Sequence, residues 1–305
     1  MAVLVVNAGS ETLKLHIVEG GRSRAVDSLS QDVELVAHRV VHGGDRFRDP
    51  VVLDDDVCAE LRALIALAPL HNAPALAAID EARRELPDVP HVAVFDTAFH
   101  ATIPEEAATY AVPRAWGVRR YGFHGLSVQW SAEQVRVSRL VVCHLGGGSS
   151  VTAVRDGRSV DTTMGFTPLD GVPMTTRSGA VDPGALIYAM RTRGLDVDAL
   201  EHALNEESGL KALAGGSGDM RDVLAAGGGL ALAVYVYRVA AAVATMATSL
   251  GGLDALVFTG GIGERAAVVR ERICERLAFL GDVAVHVVEA REELVAARWA
   301  RKVVA

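Results

Sequence analysis

The sequence has few aromatic residues and few cysteines, and each shortage excludes a class of protein. Aromatic residues make up 5% of the 305 residues, so a core of stacked rings is excluded and Val, Leu and Ala must fill the interior. The three cysteines are an odd number without metal-type spacing, which argues against a disulfide framework or a zinc site. We therefore expect buried free thiols in a reducing compartment and a cytoplasmic protein.

An excess of positive charge and a clear membrane span are also lacking. The net charge is −8 and the basic residues are scattered, so no nucleic-acid partner is expected. An anionic substrate must instead be met by locally placed arginines. The most apolar run, residues 230–250, carries Arg238 at its centre, which predicts a buried helix and no membrane partner.

Glycine, by contrast, is abundant and concentrated after apolar runs. Residues 140–150 form a strand-like run that ends in Gly146, Gly147 and Gly148 before a second apolar run begins. This order predicts a strand, a glycine loop and a returning strand. Because glycine lacks a Cβ, the N–H groups of the loop can close around an anion.

Two other stretches repeat this plan. Residues 2–19 read as strand, polar turn and strand, and residues 255–264 read as a strand that ends in a glycine loop at a helix N-terminus. The echo at the head of each half of the chain predicts a duplicated domain. Strands alternate with helices over the whole length, which predicts an α/β protein with its site at the strand ends.

Several predicted elements bear on the site. A helix is expected over residues 54–67, and a second over 73–86 with Pro74 in its first turn. Helices are also expected over 183–193, 197–205, 229–250 and 292–303, with one more from the glycine loop near 263 to Leu277. Residues 162–182 are predicted to be a long irregular loop, and such loops inside domains are usually functional.

Two binding chemistries compete for the glycine loops. A Walker-type phosphate loop is absent, whereas residues 261–266 fit a dinucleotide fingerprint. Too few residues follow that fingerprint to complete the half-sheet that a nicotinamide or flavin cofactor needs. Glycine loops together with arginines and Asp96 in polar loops favour phosphoryl transfer, which depends on positioning and charge neutralisation.

Ordered motifs along the chain make it resemble the acetate kinase family, of the acetate and sugar kinase/Hsp70/actin superfamily. The matching motifs begin with NAGS at residue 7, HRVVHGG at 38, FDTAFH at 95 and RYGFHG at 120. They continue with HLG at 144, MGFTPLDG at 164, TRSG at 176, DMR at 219, TGGIGE at 259 and EEL at 292.

The resemblance implies a two-lobed actin-like ATPase fold, ribonuclease H-like, with duplicated lobes around a cleft. The first lobe would comprise residues 1–97 plus 290–305, and the second residues 98–289. It also implies ATP and a short carboxylate as substrates, Mg²⁺ as cofactor, reversible in-line phosphoryl transfer, and a homodimer formed through the second lobe.

The resemblance also implies a role for each matching residue. Catalysis would fall to Arg39, Asp96, His124 and Arg177, and the metal would be supported by Asn7 and Glu292 together with Asp96. The acid would be bound by Arg39, Val41, Leu70, Phe123 and Pro168, an apolar pocket in which each methylene accepted is worth roughly 1 to 3 kcal/mol, so propionate should also be used. The nucleotide would be bound by Lys14, His144, Gly146, Gly147, Gly148, Asp219, Met220, Arg221, Gly261, Ile262, Gly263, Glu264 and Arg265.

The sequence departs from the family pattern in length and at three positions. The chain is about a quarter shorter than a typical member, Glu11 stands where Ser is usual, and Gly147 and Arg265 each replace an Asn. Two alternatives therefore stay open beside an acetate or propionate kinase. One is a non-catalytic sensor of nucleotide or acyl phosphate, and the other is a kinase for a longer acid such as butyrate.

Overall fold

A computed structural model describes residues 1–8, 13–29 and 32–305, with only the backbone described at residues 69 and 70. The strands are β1 (Val3–Ala8), β2 (Leu13–Glu19), β3 (Arg22–Val26), β4 (Leu35–Val40), β5 (Val51–Val52), β6 (His91–Phe95), β7 (Arg139–Leu145), β8 (Ser149–Arg155), β9 (Arg158–Thr162), β10 (Ala255–Thr259) and β11 (Ala284–Val287). The helices are α1 (Asp55–Ala63), α2 (Pro69–Glu85), α3 (Glu105–Ala108), α4 (Gly125–Gln134), α5 (Pro183–Arg193), α6 (Val197–Glu206), α7 (Gly209–Ala214), α8 (Met220–Ala225), α9 (Gly229–Leu250), α10 (Gly260–Arg265), α11 (Ala267–Arg276) and α12 (Glu292–Val304).

The chain divides into two units, each built on one mixed sheet. Unit 1 comprises residues 1–102, 121–130 and 290–305, and unit 2 comprises residues 103–120 and 131–289. The sheet of unit 1 has the strand order β3-β2-β1-β4-β6-β5, and that of unit 2 the order β11-β10-β7-β8-β9.

The two sheets have the same topology apart from the extra strand β5. In unit 1, β1 pairs antiparallel with β2 and parallel with β4, which pairs parallel with β6. In unit 2, β7 pairs antiparallel with β8 and parallel with β10, which pairs parallel with β11. The predicted duplication, and with it the predicted strand-loop-strand hairpin at the head of each half, is confirmed by this pairing.

The core of unit 1 lies on both faces of its sheet. Strand β1 alternates: Val3 and Val5 pack with buried residues of α12, whereas Leu4 and Val6 pack with β2, β4 and the end of α2. A strand covered on both faces needs apolar residues at successive positions, which explains the unbroken apolar run at the start of the chain.

The core of unit 2 is built around the long helix α9. Its residues Tyr235, Val239 and Val243 are fully buried with the inward-facing side chains of β7 and β8. By length and composition α9 could cross a membrane. Half of its most apolar stretch of 18 residues is buried inside the structure. The packing agrees with the predicted buried helix, whose bounds are also confirmed.

Three helix predictions were wrong. Helix α2 begins at Pro69 rather than at residue 73, so that Pro69 occupies the first turn and Pro74 lies inside the helix. The helix expected over residues 54–67 ends at Ala63, and a separate 3₁₀ turn follows over residues 65–67. The helix expected after the third glycine loop is α11, but the predicted loop itself is the short helix α10, separated from α11 at Ala266, whose backbone is not helical. Residues 163–182 contain no helix or strand, as predicted.

Candidate active site

Three predicted site residues lie side by side on adjacent strands of unit 1. Asn7 near the end of β1 is paired with Lys14 on β2 and with Arg39 on β4. Paired residues in neighbouring strands point to the same face of a sheet. Tertiary pairing therefore gathers an amide, an ammonium and a guanidinium from three separate motifs into one row.

Arg39 is the centre of a polar network at this row. Its Nε and Nη2 donate to the two carboxylate oxygens of Asp96 at 2.9 and 2.5 Å, and its Nη1 donates to Asn7 Oδ1 at 2.9 Å. Glu292 Oε2 lies 3.9 Å from the same Nη1. Burial alone would lower the pKa of Arg39, but the carboxylates of Asp96 and Glu292 outweigh it and raise that pKa above its ordinary value.

The motif that contains His124 packs against the end of β6. His124 has a left-handed backbone (φ 59°) and Gly125 begins α4. The Gly125 N–H donates to the Asp96 carbonyl at 3.1 Å, and a Cβ at this glycine would lie 2.1 Å from the same oxygen. Glycine is therefore required here, because any side chain would push the turn that carries His124 away from Asp96.

His100 holds this turn through a hydrogen bond to its backbone. Its Nε2 lies 2.9 Å from the Phe123 carbonyl oxygen, so this nitrogen is the donor. Burial lowers the pKa of His100 to about 4, against the opposing effect of that hydrogen bond. The ring is therefore a neutral structural donor.

The residues expected to contact the acyl group are divided between the units. Val41 and Phe123 are buried in unit 1, where the His42 ring lies 5.4 Å from the Phe123 ring. Pro168 is buried in the irregular loop of unit 2. The side chain of Leu70 lies outside the described residues, although its backbone belongs to α2.

Hydrogen bonds fix the backbone of the glycine loop after β7. The Thr175 hydroxyl donates to the Gly147 carbonyl at 3.1 Å, and the Gly146 N–H donates to the Gly148 carbonyl at 3.0 Å. Ser149 Oγ lies 3.2 Å from the hydroxyl of the buried Tyr235. Apart from its chain neighbours, no described residue has an atom within 4 Å of a Cβ built at Gly147, so this position faces open space in the part of the chain that the structure describes.

The glycine stretch after β10, which is the short helix α10, lies next to the loop after β7. His144 and Thr259, the last paired residues of β7 and β10, are neighbours in the sheet. Gly260 has φ +77°, and a Cβ there would lie 2.7 Å from the Leu145 carbonyl. At the start of α10, the Glu264 carboxylate accepts a hydrogen bond from the Gly260 N–H at 3.0 Å.

The remaining predicted nucleotide residues differ in how they present themselves. Asp219 caps α8 and accepts from the Arg221 backbone and side chain, which lowers the pKa of Asp219 to about 2. Ile262 and Gly263 are buried, and Arg265 is exposed. The Met220 side chain belongs to the core of unit 2, so only its backbone could contact a ligand.

Arg177 is a half-buried guanidinium that donates to a backbone carbonyl. Its Nη1 donates to the Pro168 carbonyl at 2.9 Å, and among the described residues no carboxylate lies within ion-pair distance of it. Burial lowers the pKa of Arg177, and the more distant Glu206 opposes this only in part. A partly desolvated cation without an anionic partner is unfavourable by itself, so an anionic ligand would compensate it.

Comparison with known proteins decides the family. The acetokinase family profile matches residues 17–295. The acetate kinase of Nostoc punctiforme is 48% identical over 284 residues, which are 88% of this chain and 70% of that protein. The chain belongs to the acetokinase family.

Solved structures agree with this assignment. A propionate kinase from Francisella tularensis superimposes with a TM-score of 0.91 at 34% identity, covering 99% of both chains. The Porphyromonas gingivalis acetate kinase superimposes with a TM-score of 0.89 at 30% identity, covering 100% of both. The predicted two-lobed, actin-like α/β fold is thereby confirmed for this acetokinase.

The oxygen donors of unit 1 fit a magnesium ion. Asn7, Asp96 and Glu292 offer one amide and two carboxylate oxygens around Arg39. No group of three or more His, Cys, Asp or Glu residues suited to a metal occurs in the part of the chain that the structure describes. A cation that keeps several waters and takes phosphate oxygens, as Mg²⁺ does, suits so small a donor set.

Sequence reasoning gave no role to two residues that contact the irregular loop of unit 2. Arg120 and Tyr110 hold the loop that carries Pro168, as described below. The available signal was the loop itself, because twenty residues without secondary structure leave many carbonyl groups in need of donors. The departure at Glu11 lies outside the described residues.

Proposed function

We propose that this acetokinase transfers the γ-phosphoryl group of ATP to the carboxylate of acetate or propionate, reversibly. The observation that carries the proposal is Arg177, a half-buried cation that donates to a carbonyl oxygen. A small dianionic or monoanionic group is the ligand that such a site favours. Family membership supports a carboxyl group as acceptor.

The reaction places little demand on acid-base catalysis. A carboxylate oxygen attacks the γ-phosphorus in line with the bond to the β-phosphate oxygen; the new O–P bond forms as the old one breaks, and ADP leaves. The attacking carboxylate is already ionised near neutral pH, so no general base is needed. The obstacle is repulsion between two anions, which arginine side chains reduce.

In unit 1, we assign the reduction of repulsion between the two anions to Arg39, which Asp96 orients through two hydrogen bonds. Mg²⁺ held through Asn7, Asp96 and Glu292 would neutralise phosphate charge when bound. In unit 2, Arg177 would contact the carboxylate and the transferring group, and the two adjacent glycine loops would offer backbone N–H donors to the nucleotide. His124 would donate to a phosphoryl oxygen.

The alternatives are not favoured by the comparisons. Relatives that match most of the chain are named acetate kinases, which does not support a non-catalytic sensor or a butyrate-type kinase. The choice between acetate and propionate, the homodimer, the cytoplasmic location and the lobe boundaries at 97/98 and 289/290 stay predictions.

Replacing Arg177 tests the proposal directly. In Arg177→Ala, turnover in an acyl phosphate assay with hydroxylamine trapping should fall about a hundredfold to a thousandfold, because one transition-state donor is worth about 2.7 to 4 kcal/mol. Arg177→Lys keeps the charge but not the planar fork and should retain an intermediate rate.

Calorimetry with ATP serves as the control, since nucleotide affinity should change little in either variant. Absence of turnover by the folded wild-type protein with Mg²⁺ would contradict the proposed function. Full activity of Arg177→Ala would contradict only the role of this arginine.

A further inference from the structure

The loop that follows β9 is wrapped around a single guanidinium nitrogen. Nη1 of Arg120 lies 2.8 Å from the carbonyl oxygens of Thr162 and Thr163 and 3.1 Å from that of Met164. Three consecutive carbonyl groups can converge on one donor only if the backbone curls around it. Asp170 Oδ2, at 3.6 Å from the same nitrogen, ties in the far end of the loop.

Tyr110 holds the middle of the same loop. Its hydroxyl oxygen accepts from the Phe166 N–H at 2.9 Å, and its ring centroid lies 5.7 Å from the Arg120 guanidinium carbon. A Cβ at Gly165 would lie 2.1 Å from that hydroxyl and 2.5 Å from Asp170 Oδ2. The loop, the tyrosine and the aspartate are therefore packed too closely for any side chain at residue 165.

The anchored loop positions Pro168 and, through it, Arg177. Pro168 lies between the two anchored points, Phe166 and Asp170, and Asp170 Oδ1 accepts from the Gly171 N–H at 2.7 Å. The Pro168 carbonyl accepts from Arg177 Nη1 at 2.9 Å. A displacement of this loop would consequently move an apolar ring and a guanidinium together.

We infer that Arg120 and Tyr110 are positioning residues that set the size selectivity of this kinase for its acid. They act by fixing the loop that carries Pro168 and orients Arg177. The inference rests on the proposed function, in which Pro168 and Arg177 contact the carboxylate substrate. A loosened loop would accept a longer acyl chain and would hold the carboxylate less firmly, whereas nucleotide affinity would be little affected.

Tyr110→Phe is the sharpest test, because it removes one hydroxyl and keeps the ring. The measurement is kcat and KM for acetate, propionate and ATP. We expect the acetate KM to rise about fivefold and the propionate-to-acetate ratio of kcat/KM to rise about threefold, with the KM for ATP within about twofold of wild type. Arg120→Lys should shift the ratio in the same direction.

Tyr237→Phe is the matched control. Tyr237 also lies beside a guanidinium, that of Arg276 at 5.5 Å, but it is exposed on α9. Its variant should keep wild-type selectivity. An equal fall in kcat/KM for both acids in Tyr110→Phe, or no change, would overturn the inference, because general destabilisation does not distinguish one acid from the other.

Hydrogen exchange provides a readout that needs no turnover. Amides of residues 162–171 should exchange at least about threefold faster in Tyr110→Phe than in the wild type, and Tyr237→Phe should leave them unchanged. Unchanged protection of this loop in Tyr110→Phe overturns the inference even in an active enzyme. If the wild-type protein phosphorylates no acid, the proposed function fails while the exchange experiment still tests the anchoring of the loop.

Discussion

The two arginines predicted to act in catalysis, one in each unit, are held in opposite ways. Arg39 is fixed by a bidentate contact with Asp96, whose side chain is 1% exposed, whereas Arg177 is held by a single carbonyl. Removing Arg39 would break a buried ion pair with Asp96, which typically destabilises a protein by about 3 to 5 kcal/mol. Loss of activity in Arg39→Ala would therefore combine a folding effect with a catalytic one, and Arg177 is the cleaner probe.

At the same scale, Gly147 offers an experiment that adds a function rather than removing one. The position faces open space and its backbone does not need a left-handed conformation, so Gly147→Asn should fold normally. It restores the side-chain donor of the family pattern beside the phosphate loop. We expect kcat to rise at least about tenfold, since one transition-state donor is worth about 2.7 to 4 kcal/mol.

Gly147→Ala is the control for that variant, because it adds a side chain without a donor. Its steady-state rate should match that of wild type, and both variants should keep the wild-type melting temperature. Equal rates for the Asn and Ala variants would show that the missing amide does not limit this enzyme.

At the scale of elements, the neighbouring residues Gly260 and Gly261 differ in whether the structure tolerates a side chain. In Gly260→Ala, the new Cβ would lie 2.7 Å from the Leu145 carbonyl at a φ of +77°, so one of the loops must shift. We expect a loss of about 1 to 3 kcal/mol in the free energy of unfolding. Urea denaturation measures this directly.

Gly261→Ala is the matched control one residue away. Among residues 1–8, 13–29 and 32–305, none other than its chain neighbours has an atom within 4 Å of a Cβ at this position, and no left-handed backbone is required. Its unfolding free energy should lie within about 0.5 kcal/mol of wild type. A comparable loss of stability in both variants would mean that the contact between the loops is not what constrains Gly260.

At the scale of the whole molecule, several buried histidines should make stability depend on pH. His38 Nε2 and His91 Nδ1 are 2.9 Å apart, and His91 Nε2 donates to the Leu86 carbonyl, so the hydrogen bond between the two rings is lost if both are protonated. Burial, with a further contribution from His91, lowers the pKa of His38 to about 3, and burial lowers that of His100 to about 4.

Proton linkage gives the direction in which the unfolding free energy changes with pH. Below an ordinary histidine pKa near 6.5 the unfolded chain binds protons that the folded chain does not, so stability is full above that pH and falls as the pH decreases. Each proton that the unfolded chain binds and the folded chain does not lowers the unfolding free energy by about 1.4 kcal/mol for every unit by which the pH falls. We expect the unfolding free energy to fall by at least about 2 kcal/mol between pH 7 and pH 5, measured in urea.

The pH window separates these histidines from the carboxylates. Asp219 and Asp254 also have lowered pKa values, but as acids they lose their contribution only when the pH approaches their ordinary values near 4. His286→Gln, which removes an exposed histidine on β11, should keep the wild-type dependence. A flat stability profile between pH 7 and pH 5 would contradict the assignment.

Local patterns predicted most elements but not all of their limits. The strand-loop-strand hairpins and the long helix α9 have strong periodicity and clear turn residues, and the structure confirms them. The start of α2 was missed because both Pro69 and Pro74 suit a first turn, and only packing selects between them. The break at Ala266 has no proline or glycine to announce it.

The residue types of the site were predictable, whereas their arrangement was not. Asn7, Lys14 and Arg39 could be named from motifs, but strand pairing in the sheet is what places them in one row. The loop supported by Arg120 and Tyr110 carries no local signal of its anchors, because the partners are about fifty residues distant in sequence.

By itself the sequence determined the family, the duplicated α/β plan and the chemistry of the available side chains. These depend on local order: apolar periodicity, glycine after strands and motifs in series. The tertiary structure alone decided that Arg39 is neutralised by carboxylates and that Arg177 is not. It also decided which glycines tolerate a side chain, because burial, charge compensation and close backbone contact depend on residues that meet only in the folded chain.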